Sequence, residues 1–179
     1  MKRTLDFLRD HKEIALATCE GNLDFVECRH DSGIPKQALM PLAVPALPKL
    51  RIFQIMKQEW NVLYFATSQE KAVCRELVKN PNVEILAYAD NVSVRCSGMV
   101  NFDVEDDTKR WIYDNNPVLP RLYSSYDKLV YFRLPIAEMD YYDLSPTPPV
   151  FKHYDLMVGE VGDGFVGERF KKNLGRFIR

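Results

Sequence analysis

The sequence predicts one mainly β domain, a small antiparallel barrel with a few short flanking helices, and three observations lead there. Aromatic residues make up 12% of the 179 residues, with nine Tyr and ten Phe, a bias toward sheet rather than helix bundle. Several apolar stretches of four to eight residues carry period-two alternation between turn residues. The strands also come in meanders rather than in strict strand–helix alternation, which favours a closed antiparallel sheet over a doubly wound one.

The elements follow in order. Residues 2–12 place Leu5 and Leu8 three apart among charges, with Phe7 beside them, and read as an N-terminal helix. EIALATC is a strand with Ile14, Leu16 and Thr18 on one face, and Glu20-Gly21-Asn22 supplies a turn. Residues 23–46 carry Pro35, Pro41 and Pro45 and no clear period, so they read as an insertion after the first strand. KLRIFQIMKQE is the second strand, Trp60-Asn61 a turn, and VLYFAT the third strand. SQEKAVCRELVKNP then changes to helical period, with Ser68 as N-cap, Val73 and Leu77 on one side, and a stop at Asn80-Pro81. VEILAYAD and SVRCSGMVNFDV are strands around Asn91. Asp106 and Asp107 are candidates to cap a further helix, ended by Pro117 and Pro120. KLVYFRLPIAEMDYYDL is a long closing strand with Pro135 at an edge or bulge. PTPP at 146–149 reads as a stiff linker, so the domain is expected to span 1–145, with linker and tail at 146–179.

Composition excludes several functions. With 46% hydrophobic and 27% charged residues the balance is globular, and a net charge of -1 offers no global field for nucleic acid. No apolar run approaches the roughly 20 residues that span a bilayer, and the first residues lack the apolar centre of a signal peptide. A cytoplasmic protein without a membrane partner is expected. Cys19, Cys28, Cys74 and Cys96 have no C-x-x-C spacing, so free thiols and no metal are expected; Cys28-x-His30 with Cys19 falls short of a four-ligand zinc set. The tail spells G-x-G-x-x-G at Gly162, Gly164 and Gly167, but too little chain follows to build a dinucleotide fold around it, and turns are the better expectation. His11, His30 and His153 are scattered and no nucleophile constellation stands out.

Two local patterns point to a ligand. After the strand ending at Thr67 come Ser68 and, three residues on, Lys71, a cation in the first turn of a helix where the dipole disfavours it. Free N–H groups, two hydroxyls and a lysine suit a phosphate; a solvated lysine is the alternative. On KLRIFQIMK, Lys49, Arg51, Phe53 and Ile55 share one face and Leu50, Ile52, Gln54 and Met56 the other. Both faces mix polar and apolar groups, which fits a strand bordering a cavity or, equally, an Arg51 salt-bridged at the barrel rim.

Together, ALATCEGN, LPKLRIFQIMK, VLYFATSQEKAVCRELVKNPNVEI and VRCSGMV resemble the pyridoxamine 5'-phosphate oxidase-like flavin split barrels, over about residues 1–145. The branch that includes general stress proteins and nitroimidazole reductases is the most similar. The resemblance implies a Greek-key split barrel that forms a homodimer with FMN at its interface. It implies Arg51 near the phosphate and ribityl chain, Thr67, Ser68 and Lys71 at the phosphate, and the backbone of Ile52, Phe53 and Gln54 along the flavin ring. Lys49, Arg51 or Lys57 would then face the reduced flavin's negative edge, and Trp111 or Tyr126 would come from the partner subunit. The implied activity is an NADH- or NADPH-dependent oxidoreductase acting on a small acceptor such as a nitro compound, a quinone or a flavin. Alternatives within the resemblance are a non-catalytic flavin-binding stress or storage protein, and a heme- or deazaflavin-binding split barrel. Ser93 stands where the authentic oxidases have glutamine, and their C-terminal Arg-x-His is absent, so the vitamin-salvage reaction is not expected.

Overall fold

The computed structural model describes residues 1–19 and 47–163. The turn at 20–22, the insertion at 23–46 with Cys28 and His30, and the tail from residue 164 lie outside the described residues. The fold is mainly β, an antiparallel sheet curled into a split barrel and flanked by short helices. Helix α1 (Lys2–Asp10) leads into β1 (Glu13–Cys19), β2 (Pro48–Gln54), β3 (Lys57–Glu59) and β4 (Val62–Ser68). Then come α2 (Ala72–Lys79), β5 (Asn82–Ala89), β6 (Val92–Met99), α3 (Asp106–Asp114) and α4 (Leu119–Leu122). The long β7 (Leu129–Asp143) is followed by β8 (Val150–Asp155) and β9 (Glu160–Asp163).

The sheet order is β2-β1-β5-β6-β7-β4-β3, with β8 added to β7 and β9 to β8. β2 and β3 are neighbours in sequence yet stand at opposite ends of that order, so the sheet has to curl. The expected single strand over residues 49–59 therefore breaks in two: the Ile55 N–H still donates to Lys12 at 2.8 Å, while the next, Met56, donates to Tyr64 at 2.9 Å. Two adjacent residues thus bond the two ends of the sheet.

β7 explains the split. One of its edges carries β6 and the Asn101 bridge to Arg133. The other edge carries β4 opposite Leu129 to Pro135 and then β8 opposite Glu138 to Asp143. Pro135 sits at that changeover, at the last pair of the β4 ladder, next to the register shift at Ser97/Gly98. Arg133 turns its N–H to Asn101 and Ile136 turns its own to Asn61 on the β4 side, so the N–H that Pro135 lacks belongs to the β6 edge, where the register shifts and no ladder bond is required of it. PTPP returns the chain from β7 to β8 within the same sheet.

The core is the barrel interior. Phe65 and Phe132 stack at 5.2 Å with Phe53 set edge-on to both, Leu5 and Leu8 of α1 join them, and Val73 and Leu77 of α2 pack on the same cluster. A second, smaller cluster lies under α3 and α4, built on Tyr64, Ile112 and Tyr131.

Three local expectations shift. Strand β4 runs through Ser68, and the N-cap of α2 is Lys71, not Ser68. Glu105 is the N-cap of α3, leaving Asp106 and Asp107 in the first turn, where acidic groups suit the helix dipole. Pro120 begins α4 rather than ending a helix, because the first turn needs no N–H from it. No helix among the described residues is long and apolar enough to cross a membrane.

Candidate functional site

Where β4 continues past the end of β3, the barrel stays open, and a cleft of about 420 Å³ fills the gap. Arg51 to Gln54 of β2 form one wall, Ala66 and Thr67 of β4 another, and Lys71 to Val73 at the start of α2 close it. Two sequence-distant signals, the mixed strand and the strand-to-helix junction, therefore converge on one place.

Among the described residues, the open strand edges leave peptide groups unpaired. Ile55 turns its N–H toward β1's side, and peptide groups alternate between the two edges of an antiparallel strand. Ile52 and Gln54 consequently present theirs to the edge away from β1, where no described strand lies. The Tyr64 carbonyl faces the β3 edge; by the same alternation Ala66 faces it too, beyond the last β3 pair. All three residues line the cleft.

The side chains divide into committed and uncommitted. Arg51 donates from Nη1 to Thr18 Oγ1 at 2.9 Å and from Nη2 to Glu76 Oε1 at 2.7 Å. Thr18 donates in turn to Glu76 Oε2 at 2.7 Å, closing a triangle between β1, β2 and α2. The Glu76 side chain is only 8% exposed. Burial pushes its carboxyl pKa up, but hydrogen bonds from Thr18 and Arg51, with the positive charges of Arg51 and Lys49, outweigh this and leave it below the usual value. Lys71 is exposed at the helix start and has no ion pair among the described residues. The Thr67 hydroxyl is buried at the cleft wall and has no hydrogen-bond partner among the described residues. A buried hydroxyl left so is costly.

Of the expected site residues, Arg51, Ile52, Phe53, Gln54, Thr67 and Lys71 meet at the cleft. Lys49, Ser68 and Trp111 are not among its lining residues. The Ser68 hydroxyl turns back to accept the Glu70 N–H at 3.4 Å. Trp111 is 44% exposed on α3 beneath the Lys57 ammonium, 5.2 Å from the ring centre. Lys57 also pairs with Glu59 at 2.5 Å. Arg95 lies in another row, held by Asp140 at 2.7 Å and Glu84 at 3.1 Å. Sequence reasoning missed Glu76 and Thr18. Glu76 had left a trace, a carboxylate on the inward stripe of α2 with Val73 and Leu77 that demands a cation. Among the described residues no cluster of three or more His, Cys, Asp or Glu could hold a metal.

This architecture has counterparts among solved structures. A Clostridium acetobutylicum protein related to general stress protein 26 of Bacillus subtilis, of the pyridoxinephosphate oxidase family, superposes with a TM-score of 0.61 at 11% identity, over 87% of this chain and 94% of that one. A pyridoxamine 5'-phosphate oxidase-related, FMN-binding protein from Nostoc punctiforme gives 0.54 at 14% identity, over 91% and 92%. A heme-binding protein from Mycobacterium smegmatis gives 0.59 at 12% identity, over 86% of this chain and 56% of that one. The chain has the fold of the pyridoxamine 5'-phosphate oxidase-like split barrels. No family model and no curated protein matches the sequence. At such identities the likeness concerns the split-barrel fold, and that fold accommodates more than one ligand. The choice of ligand rests on the cleft.

Proposed function

We propose that this split barrel binds FMN in the cleft between β2, β4 and α2, as a homodimer, and acts as an NADH- or NADPH-dependent oxidoreductase on a small acceptor. The observation that carries it is the coincidence of three unsatisfied features in one cleft: the Lys71 ammonium, the Thr67 hydroxyl and the free peptide edges. The cation and hydroxyl suit a phosphate monoester at a helix start. The peptide edges of Ile52, Gln54 and Ala66 suit a flat heterocycle with alternating donors and acceptors. When bound, the flavin supplies the two-electron carrier, and the protein supplies position and charge.

A homodimer is supported by the outer face of the sheet. Leu50 and Ile52 are 72% and 74% exposed, and Leu86 and Tyr88 on β5 are 43% and 66% exposed. The register places Ile52, Ala15 and Leu86 in one row across three strands. Such a stripe is a candidate to pack on its twofold copy. Ile52 belongs to both stripe and cleft, so a dimer would bury a ligand there. Trp111 of the partner is then a candidate to cover it. A cytoplasmic location is proposed. Small nitro compounds, quinones or free flavin are the proposed acceptors, and Ser93 speaks against pyridoxamine phosphate.

One observation favours a second reading, a flavin carrier without turnover. The cleft lining of the described residues holds no His, Cys, Tyr, Asp or Glu to move a proton. The absorption spectrum of freshly purified protein tests both readings: oxidised flavin bands support them, a Soret band selects heme, and failure to take up FMN removes the flavin assignment. Steady oxidation of NADH or NADPH with an added acceptor separates enzyme from carrier.

A further inference from the structure

We propose that Glu76 sets the charge capacity of this cleft: it neutralises Arg51, so that Lys71 alone discriminates for an anionic group. The inference rests on the phosphate-binding reading of the cleft and names the residue that limits it. Arg51 and Lys71 are the cations among the described residues lining it; Lys49 also acts on Glu76 but does not line the cleft. Arg51 spends one N–H of each terminal nitrogen on Thr18 and Glu76, at 2.9 and 2.7 Å. Glu76 uses both carboxylate oxygens in the same triangle. An ion pair at that distance presents a dipole to a third charge, whose pull falls off faster than that of a lone cation. Arg51 keeps further N–H groups, which suit neutral acceptors such as hydroxyls or ring carbonyls. The depressed carboxyl of Glu76 keeps the compensation in force near neutral pH. The predicted preference is for a ligand with one phosphate monoester and a neutral polar chain.

The test is a fluorescence titration of the full chain with FMN and with riboflavin, which differ only in the phosphate. Lys71→Ala should lower FMN affinity about tenfold or more and leave riboflavin affinity unchanged, as for loss of one charge-assisted contact. Glu76→Gln should raise FMN affinity several-fold without changing riboflavin. Removing Arg51 alone would strand a buried carboxylate, so the decisive variant is the double Arg51→Met/Glu76→Gln, which deletes the neutral pair as a unit. It should keep the wild-type ratio of FMN to riboflavin affinity. A ratio that collapses in the double variant, or an FMN affinity that falls in Glu76→Gln, overturns the proposal. If the wild-type chain takes up inorganic phosphate but no flavin, the FMN assignment fails, and the same variants titrated with phosphate decide on Glu76. If it takes up neither, both fail together.

Discussion

Gly98 lies so close against Pro135 that a Cβ placed on it would stand 2.3 Å from the Pro135 carbonyl oxygen and 2.9 Å from Leu134 Cδ1. This contact seals the point where β7 exchanges β4 for β8 as its neighbour. The carbonyl is backbone and cannot swing away. Gly98→Ala should therefore destabilise the chain by about 3 kcal/mol, the upper range for overpacking, read as a fall in the urea midpoint. An unchanged midpoint would mean that β6 and β7 part here at little cost.

Thr67 offers a test that separates binding from folding. Its hydroxyl is buried and has no partner among the described residues, so Thr67→Val, which keeps the shape, should leave the ligand-free protein equally stable or more stable by about 1 kcal/mol. The same substitution should weaken FMN binding by about 1 kcal/mol, a neutral hydrogen bond's worth. Calorimetry of the free protein and flavin titration give the two numbers. Equal FMN affinity would take Thr67 out of the proposed site.

Acid should loosen the triangle around Glu76. Its folded-state pKa is depressed, so the unfolded chain takes up the proton first as pH falls. The stabilisation is full above the ordinary glutamate value of about 4.3 and is lost as pH drops through the lower folded value. Denaturant midpoints measured from pH 6 down to pH 3 should show a decline that is shallower in Glu76→Gln. Parallel curves would mean that the carboxylate is not held in its charged form.

Tyr131 predicts the opposite of the usual cost of truncation. Burial, with Tyr113, Tyr126, Asp114 and Asp127 nearby, pushes its phenol up to about 12. The hydroxyl has no partner among the described residues. Tyr131→Phe should be neutral or stabilising by about 1 kcal/mol, read by thermal melting. A clear loss of stability would show that the hydroxyl is bonded in solution.

The outer stripe gives an assembly test. Leu86 is exposed in the single chain and lies outside the cleft lining. Leu86→Glu should convert the proposed dimer to a folded monomer in sedimentation and lower FMN affinity with it. A wild-type protein that sediments as a monomer would remove the stripe as a contact between copies.

The sequence showed most of this fold because alternation and punctuation are local. Ile14, Leu16 and Thr18 alternate as expected, Asn91 turns the β5–β6 hairpin with a positive φ of 63°, and Pro81 ends α2. The breaks it hid are tertiary. Nothing in QIMKQE announces that Ile55 and Met56 bond opposite ends of the sheet. The stretch after PTPP reads as a tail because its pairing partner, β7, is already satisfied on paper by β6. The site was legible to a similar degree. Arg51 and Lys71 stood out as cations in awkward places, whereas the partner that occupies Arg51 lies 25 residues away and became visible only once α2 was docked on β1.

The fifteen residues of β7 carry a burden in time as well as in space. Until they emerge from the ribosome, both β4 and β6 wait without the strand that pairs with them, and the described residues before β7 form two half-sheets linked through Ile55 and Met56 but lacking the strand they share. Late arrival of the shared strand exposes those edges to wrong partners during synthesis. Released fragments ending at residue 128 and at residue 163 should therefore differ sharply in protease resistance.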